Sequence, residues 1–212
     1  MTNREKYILS IYEELSDMGK HENVKLVKNT VNDGIYIKKT LKNYNIEIYK
    51  ILKNRQIKGI PKVYEIIEDE KELIIIEEYI HGLTLDKKYN KTDVETVKKI
   101  MEQLCNILKQ LHNMNPPIIH RDIKPTNIIV SNDDVVYLVD FNISREYDEN
   151  QSVDTVIMGT QGYASPEQCG FAQTDCRSDI YSIGMLMKNI LMVDEYPDKE
   201  TSTLLLLGYC SP

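Results

Sequence analysis

Cysteine is scarce in this chain of 212 residues: Cys105, Cys169, Cys176 and Cys210 are the only four, and none form a C-x-x-C pair. They read as reduced, mostly structural thiols, and the expected location is the cytoplasm. Basic charge is also short. A net charge of −7 and a pI near 5.2 exclude the basic face of a nucleic-acid binder. No apolar run approaches membrane length, since Leu204-Leu205-Leu206-Leu207 is far too short for a span. Met1 opens a polar segment rather than a secretory leader, and nothing repeats or reads as low complexity. The chain is long enough for one or two small domains with a substantial core.

The chain is organised around Ile118-Ile119-His120-Arg121-Asp122-Ile123-Lys124-Pro125-Thr126-Asn127. An apolar dipeptide runs into a turn crowded with ionisable groups, and Pro125 restricts its backbone. A carboxylate, an ammonium and an amide this close together suit phosphate chemistry. Asp122 accepts a proton or orients a hydroxyl, Lys124 offsets phosphate charge, and the Asn127 amide oxygen can hold Mg²⁺. The plain alternative is a solvated polar loop. These residues resemble the catalytic loop H-R-D-x-K-x-x-N of the protein kinase family. The shorter skeleton H-x-D-x-x-x-x-N also fits kinases of small molecules, so the residues beyond Asn127 have to separate the two.

After Asn127, Ile128-Ile129-Val130 and Val135 to Val139 flank the turn Ser131-Asn132-Asp133-Asp134, which predicts a hairpin. It ends on Asp140-Phe141-Asn142, resembling D-F-G, with asparagine tolerating the glycine's backbone freedom. The resemblance implies that Asp140 and Asn127 bind Mg²⁺. Residues 143–158 are polar and aperiodic, as an activation segment would be. Gly159-Thr160-Gln161-Gly162-Tyr163-Ala164-Ser165-Pro166-Glu167 resembles G-T-x-x-Y-x-A-P-E, which implies that Thr160 bonds Asp122 and Lys124. Ser178-Asp179-Ile180-Tyr181-Ser182-Ile183-Gly184 resembles S-D-x-x-S-x-G, whose aspartate anchors the catalytic-loop backbone. Read by itself, Asp179 is equally a helix-start acid. Small-molecule kinases lack both blocks, and Lys124 marks the Ser/Thr form of the loop. The resemblance further implies that Arg121 clamps a phosphate on the activation segment, with Thr155 the acceptor ahead of Ser152. Glu167 would seek an arginine that the tail after Val193 lacks.

Upstream, Ile8, Ile11, Tyr12 and Leu15 predict a short helix followed by strand. Val24, Leu26 and Val27 open a strand, Asn32-Asp33-Gly34 turns, and Ile35-Tyr36-Ile37-Lys38 returns. That return stands in the place of V-A-I-K, whose lysine grips the ATP phosphates. The resemblance therefore implies Lys38, with Lys39 as a register alternative on the opposite strand face. Tyr36 would then replace the small residue beside adenine. The pattern G-x-G-x-x-G-x-V falls on Gly19 to Leu26, keeps only its first glycine, and implies Gly19 and Leu26 at the nucleotide. Asn45 to Lys53 predicts a helix, in which the resemblance pairs Glu47 with the phosphate-gripping lysine. A surface glutamate fits the residues as well. Glu77-Glu78-Tyr79-Ile80-His81-Gly82 resembles the kinase hinge, implying adenine contacts at Glu78 and Ile80. Glu77 would sit at the back of the adenine pocket, where a carboxylate needs a partner or a raised pKa.

Thr92-Asp93-Val94-Glu95 has the form of a capping box. Val94, Val97, Met101, Leu104, Leu108 and Leu111 then make one helical stripe that stops at Pro116-Pro117. The expectation is an α+β, bilobal protein-kinase-like fold: a β-rich N-lobe over residues 1–80 and a mainly helical, shortened C-lobe over 81–212. Its expected function is ATP- and Mg²⁺-dependent phosphorylation of serine or threonine hydroxyls on protein substrates. The alternative is a catalytically weak or inactive pseudokinase that acts as a binding module. No nucleic acid and no membrane span are expected, and self-association is left open.

Overall fold

The structure, a computed structural model, describes residues 1–18, 23–70, 72–89, 92–148, 159–169 and 173–191. Gly19, Ser152, Thr155 and the leucine run near the C-terminus lie outside the described residues. The chain divides into two compact units, Met1–His81 and the residues from Gly82 onward.

The first unit opens with helix α1 (Asn3–Ser10), started by a capping box in which Thr2 and Glu5 satisfy each other's backbone amides. Strands β1 (Tyr12–Asp17), β2 (Val24–Asn29), β3 (Ile35–Leu41), β4 (Val63–Asp69) and β5 (Glu72–Glu78) form one antiparallel sheet in the order β1-β2-β3-β5-β4. The isoleucine-rich β5 has neighbours on both sides and is buried from Leu73 to Glu77, as a run without alternation requires. In β3, by contrast, Ile37, Lys39 and Leu41 are buried while Tyr36, Lys38 and Thr40 are half-buried. That period of two separates the adjacent lysines onto opposite faces. Helix α2 (Ile46–Asn54) is capped by the Asn45 side chain and buries Ile48, Tyr49 and Leu52.

The second unit begins with β6 (Gly82–Thr84) and the single turn α3 (Leu85–Lys88), followed by the long helix α4 (Val94–His112). Asp93, rather than Thr92, caps α4, its carboxylate accepting from the Thr96 amide at 2.9 Å. Val94 is exposed, so the buried stripe starts at Val97 and continues through Leu104 and Leu108 to Leu111. The short strand β7 (Ile118–Ile119) pairs with β10 (Arg145–Glu146). Strands β8 (Ile128–Ser131) and β9 (Val136–Leu138) form the hairpin read from sequence, with β6 on its outer side. Helix α5 (Cys176–Leu191) buries Ile183, Leu186 and Ile190. Among the described residues no helix is long and apolar enough to cross a membrane.

Candidate active site

Asp122, Lys124, Asn127 and Thr160 meet in one hydrogen-bonded cluster in the second unit. Asp122 Oδ2 accepts from Lys124 Nζ at 2.7 Å and from Asn127 Nδ2 at 2.8 Å, and Oδ1 accepts from the Thr160 hydroxyl at 2.7 Å. Lys124 Nζ also donates to Thr160 Oγ1 at 2.9 Å, and Asn127 Nδ2 to the Asp122 carbonyl at 2.9 Å. The carboxylate is thus held by three side chains from two separate segments. Such bonds to a charged acceptor are stronger than neutral ones.

Behind this cluster lies a buried anchor. Asp179, fully buried at the start of α5, accepts from the backbone amides of His120 and Arg121 at 2.9 Å each. Arg121 takes a left-handed φ of 70°, a conformation a non-glycine residue holds only when its surroundings enforce it. His112, at the end of α4, bonds the same carboxylate at 2.8 Å. Burial works against its charge. The hydrogen bonds to Asp179 and Cys176, with the attraction of Asp179, outweigh that and raise its pKa to about 9. His120 is fully buried, and desolvation lowers its pKa despite the surrounding aspartates. Its Nδ1 accepts from the Asp122 amide at 3.3 Å and its Nε2 faces the Val139 carbonyl at 3.1 Å, an arrangement that fits a neutral ring protonated on Nε2. The ring also packs edge-on against Phe141. Asp179 thus joins the start of α5 to the backbone of the His120–Asn127 loop. His112 was not legible, because only the crossing of α4 and α5 brings it there.

Asp140 follows β9, and the Val139 amide bonds the Asn127 carbonyl at 2.9 Å, tying that turn to the end of the His120–Asn127 loop. Asp140 has φ 70°, and its Oδ1 is buried without a hydrogen-bond partner. A buried carboxylate oxygen left unsatisfied is costly unless a cation completes it. Asn127 uses its amide nitrogen on Asp122, which leaves its carbonyl oxygen as the group able to take a metal. Both are hard oxygen donors suited to Mg²⁺. Groups of three or more His, Cys, Asp or Glu arranged for a metal are absent among the described residues. Two protein oxygens with substrate phosphates and water are nonetheless a common way of holding Mg²⁺.

Around the loop, Gln168 donates from Nε2 to the Arg121 carbonyl at 2.7 Å and accepts from the buried Ser165 amide at 3.1 Å. Gly159, at φ 139°, lies against Gln168, and a Cβ there would meet its Nε2 at 2.7 Å. This brace was missed in the sequence because a glutamine carries no motif signal. Glu167 accepts from the Ser178 hydroxyl at 2.7 Å, so a serine of α5 occupies the carboxylate for which an arginine was sought. Arg121 is buried and its Nη1 points to the Ile143 carbonyl at 3.4 Å, while Thr155 lies outside the described residues.

The first unit corrects two expectations. Lys38 does not meet Glu47: its Nζ bonds Glu14 at 2.8 Å, beside Lys25, which bonds the other Glu14 oxygen at 2.6 Å. These two hydrogen bonds, that of Lys25 foremost, hold the Glu14 carboxyl below its ordinary range. Glu47 is exposed and pairs with Lys50 one turn on, at 2.8 Å. Glu77 instead finds Lys39, at 2.6 Å, with 10% of each side chain exposed. Tyr36 shares the Lys38 face and packs edge-on between Tyr12 and Tyr64, while Ile37 shares the Lys39 face. Leu26 lies half-buried opposite Ile37. The Glu78 amide donates to the Lys62 carbonyl at 2.8 Å and its carboxylate accepts from the Lys62 amide at 3.1 Å, while Ile80 is buried.

The chain is similar to known proteins over most of its length. The family model described as the protein kinase domain matches residues 14–205. A probable serine/threonine-protein kinase of Clostridium acetobutylicum is 35% identical over 131 residues, 61% of this chain and 20% of that protein. Serine/threonine-protein kinase D of Synechocystis is 31% identical over 68% of this chain and 30% of its own length. Myosin light chain kinase 2 of Rattus norvegicus is 30% identical over 75% of this chain and 26% of its own. The chain therefore spans under a third of the length of the curated relatives it matches. With a family match that covers nearly all of its residues, this chain belongs to the protein kinase domain family.

Proposed function

We propose that the chain transfers the γ-phosphoryl group of ATP to serine or threonine hydroxyls of protein substrates. The observation that carries this reading is the Asp122 carboxylate, held by Lys124, Asn127 and Thr160 on a loop pinned from behind by Asp179. The substrate hydroxyl oxygen forms a bond to the γ-phosphorus as the bond to the β-phosphate oxygen breaks, leaving ADP. Asp122 orients that hydroxyl and takes its proton. Lys124 sets a positive charge beside Asp122, where it steadies the transferring phosphoryl group. Thr160 keeps both in place through its hydroxyl. Such positioning, with charge neutralisation, supplies most of the rate in phosphoryl transfer. Asn127 and Asp140 would hold Mg²⁺, which when bound offsets charge on the phosphates. Leu26 and the backbone of Glu78 and Ile80 would face the base of the nucleotide.

The test is mass spectrometry of the purified chain and a mixed serine/threonine peptide library after incubation with MgATP. Phosphate should appear on serine or threonine, with Thr155 the expected site on the chain itself. Asp122→Asn should lower transfer by roughly 10²–10⁴-fold, the contribution of a positioned base, and leave the circular dichroism spectrum unchanged. Transfer by the variant at the parent's rate would overturn the role of Asp122.

A further inference from the structure

Resting on that kinase reading, we infer that Lys39 is the lysine that grips the ATP phosphates. We further infer that Glu77, on the neighbouring strand, is the carboxylate that positions it. Protein kinases generally assign the second role to a glutamate on a helix of the N-lobe, the place held here by Glu47.

Strand geometry brings the two together. In the β3–β5 ladder Ile37 lies opposite Glu77 and Lys39 opposite Ile75. Lys39 and Glu77 are therefore diagonal neighbours on one face, within reach of two long side chains. They meet at 2.6 Å with 10% of each side chain exposed. Lys38, one residue away, projects from the other face onto Glu14. Glu47 is turned to solvent and paired with Lys50.

A buried ion pair is a poor way to hold a sheet together. Desolvation consumes most of what the attraction provides, and two apolar side chains of the same volume would serve at least as well. Its presence in the middle of an isoleucine-rich ladder therefore points to use of the charges, as buried charge pairs at functional sites do. The pair also answers the question that Glu77 raises in the sequence, namely what accompanies a carboxylate at that depth. It has a regulatory consequence as well. In many kinases the lysine–glutamate pair depends on where a helix sits. Here both partners lie on adjacent hydrogen-bonded strands, so the ammonium is set by the sheet and does not wait for α2 to move.

The test combines covalent mapping with kinetics on the whole chain. An acyl-phosphate derivative of ATP passes its acyl group to a lysine amine lying at the phosphates, forming an amide and releasing ATP. Peptide mapping should find the label on Lys39, with excess MgATP protecting it. Initial rates against a mixed serine/threonine peptide library are then measured as a function of ATP. Lys39→Ala and Glu77→Gln should each lower kcat at least thirtyfold, with a smaller change in KM. Lys38→Ala and Glu47→Gln should stay within threefold of the parent. Adding Glu77→Gln to Lys39→Ala should cost less than a further twofold, because the carboxylate acts through the lysine; independent structural damage would multiply instead. Should a single variant fail to fold, Lys39→Met/Glu77→Gln removes both charges together, and it should melt cooperatively and lack activity. Label on Lys38, a loss in Glu47→Gln matching that of Lys39→Ala, multiplying effects in the double variant, or an active Lys39→Met/Glu77→Gln would each overturn the assignment while leaving the kinase reading intact. A parent chain that is neither acylated, nor stabilised by MgATP, nor able to transfer phosphate would remove the kinase reading, and this assignment with it.

Discussion

The His112–Asp179 pair makes stability depend on pH in a calculable way. Replacing His112 by glutamine keeps a hydrogen-bond donor at the end of α4 and removes the charge. The histidine pKa rises from 6.5 to about 9 on folding, which at 1.4 kcal/mol per pH unit corresponds to about 3 kcal/mol. Because the folded value lies above the unfolded one, this stabilisation is fully present below pH 6.5 and fades as pH climbs through about 9. Urea unfolding followed by circular dichroism, at half-unit steps from pH 6 to pH 10, measures it. His112→Gln should be less stable than the parent by about 3 kcal/mol at pH 6, and most of that difference should vanish by pH 10. Titrating groups that do not face His112 are common to both proteins and cancel in the comparison, so the difference reports His112 together with the Asp179 and Cys176 side chains it bonds. Asp179 holds the amides of His120 and Arg121 with the same carboxylate, so the variant should also lose phosphoryl transfer more steeply on warming than the parent. A stability difference of equal size at pH 6 and pH 10 would refute the reasoning, since it would mean that His112 contributes packing rather than charge.

Other contacts lead to equally specific outcomes. Asp140→Asn should leave the ligand-free chain as stable as the parent or up to about 1 kcal/mol more stable, because a buried carboxylate oxygen without a partner is unfavourable. The same variant should lose the rise in Tm that MgATP produces in the parent; retention of that rise in differential scanning fluorimetry would exclude the metal role. Thr160→Val removes the hydroxyl shared by Asp122 and Lys124. It should lower kcat by at least tenfold with little change in Tm, and rescue by Thr160→Ser in steady-state assays would show that the hydroxyl is responsible. At Gly82 a Cβ would strike the Val130 carbonyl and the Ser131 Cα across the β6–β8 ladder. Gly82→Ala should therefore cost roughly 2 kcal/mol in urea unfolding, as overpacking against backbone does, and an unchanged midpoint would contradict that contact.

Chemical identity and order along the chain are local properties, and these were legible. Asp122, Lys124 and Asn127 on one loop, Asp140 after the next hairpin, Thr160 and Asp179 beyond it could be placed because each motif lies in one short segment. The stripe of α4 and the hairpin of β8 and β9 were legible for the same reason, since helix and strand periods are written in the residues themselves. Even there, one-residue details moved: Asp93 caps α4 although Thr92 fits the capping pattern. An aspartate whose carboxylate reaches the Thr96 amide directly wins that competition.

Partnership was decided by the tertiary structure. Two adjacent lysines on a strand are chemically alike, and only burial of one sheet face distinguishes Lys39 from Lys38. Glu47 and Glu77 are both glutamates near a lysine-bearing strand. One lies on the outer side of a helix and the other two residues along a hydrogen-bonded ladder from the lysine it meets. Likewise His112 reaches Asp179 across 67 residues of sequence, a separation over which no local pattern carries information. The sequence by itself determined which chemistry the chain carries. Which charges meet was settled by packing, because the attraction between two groups depends on their distance and their solvent, and both exist only once the chain has folded.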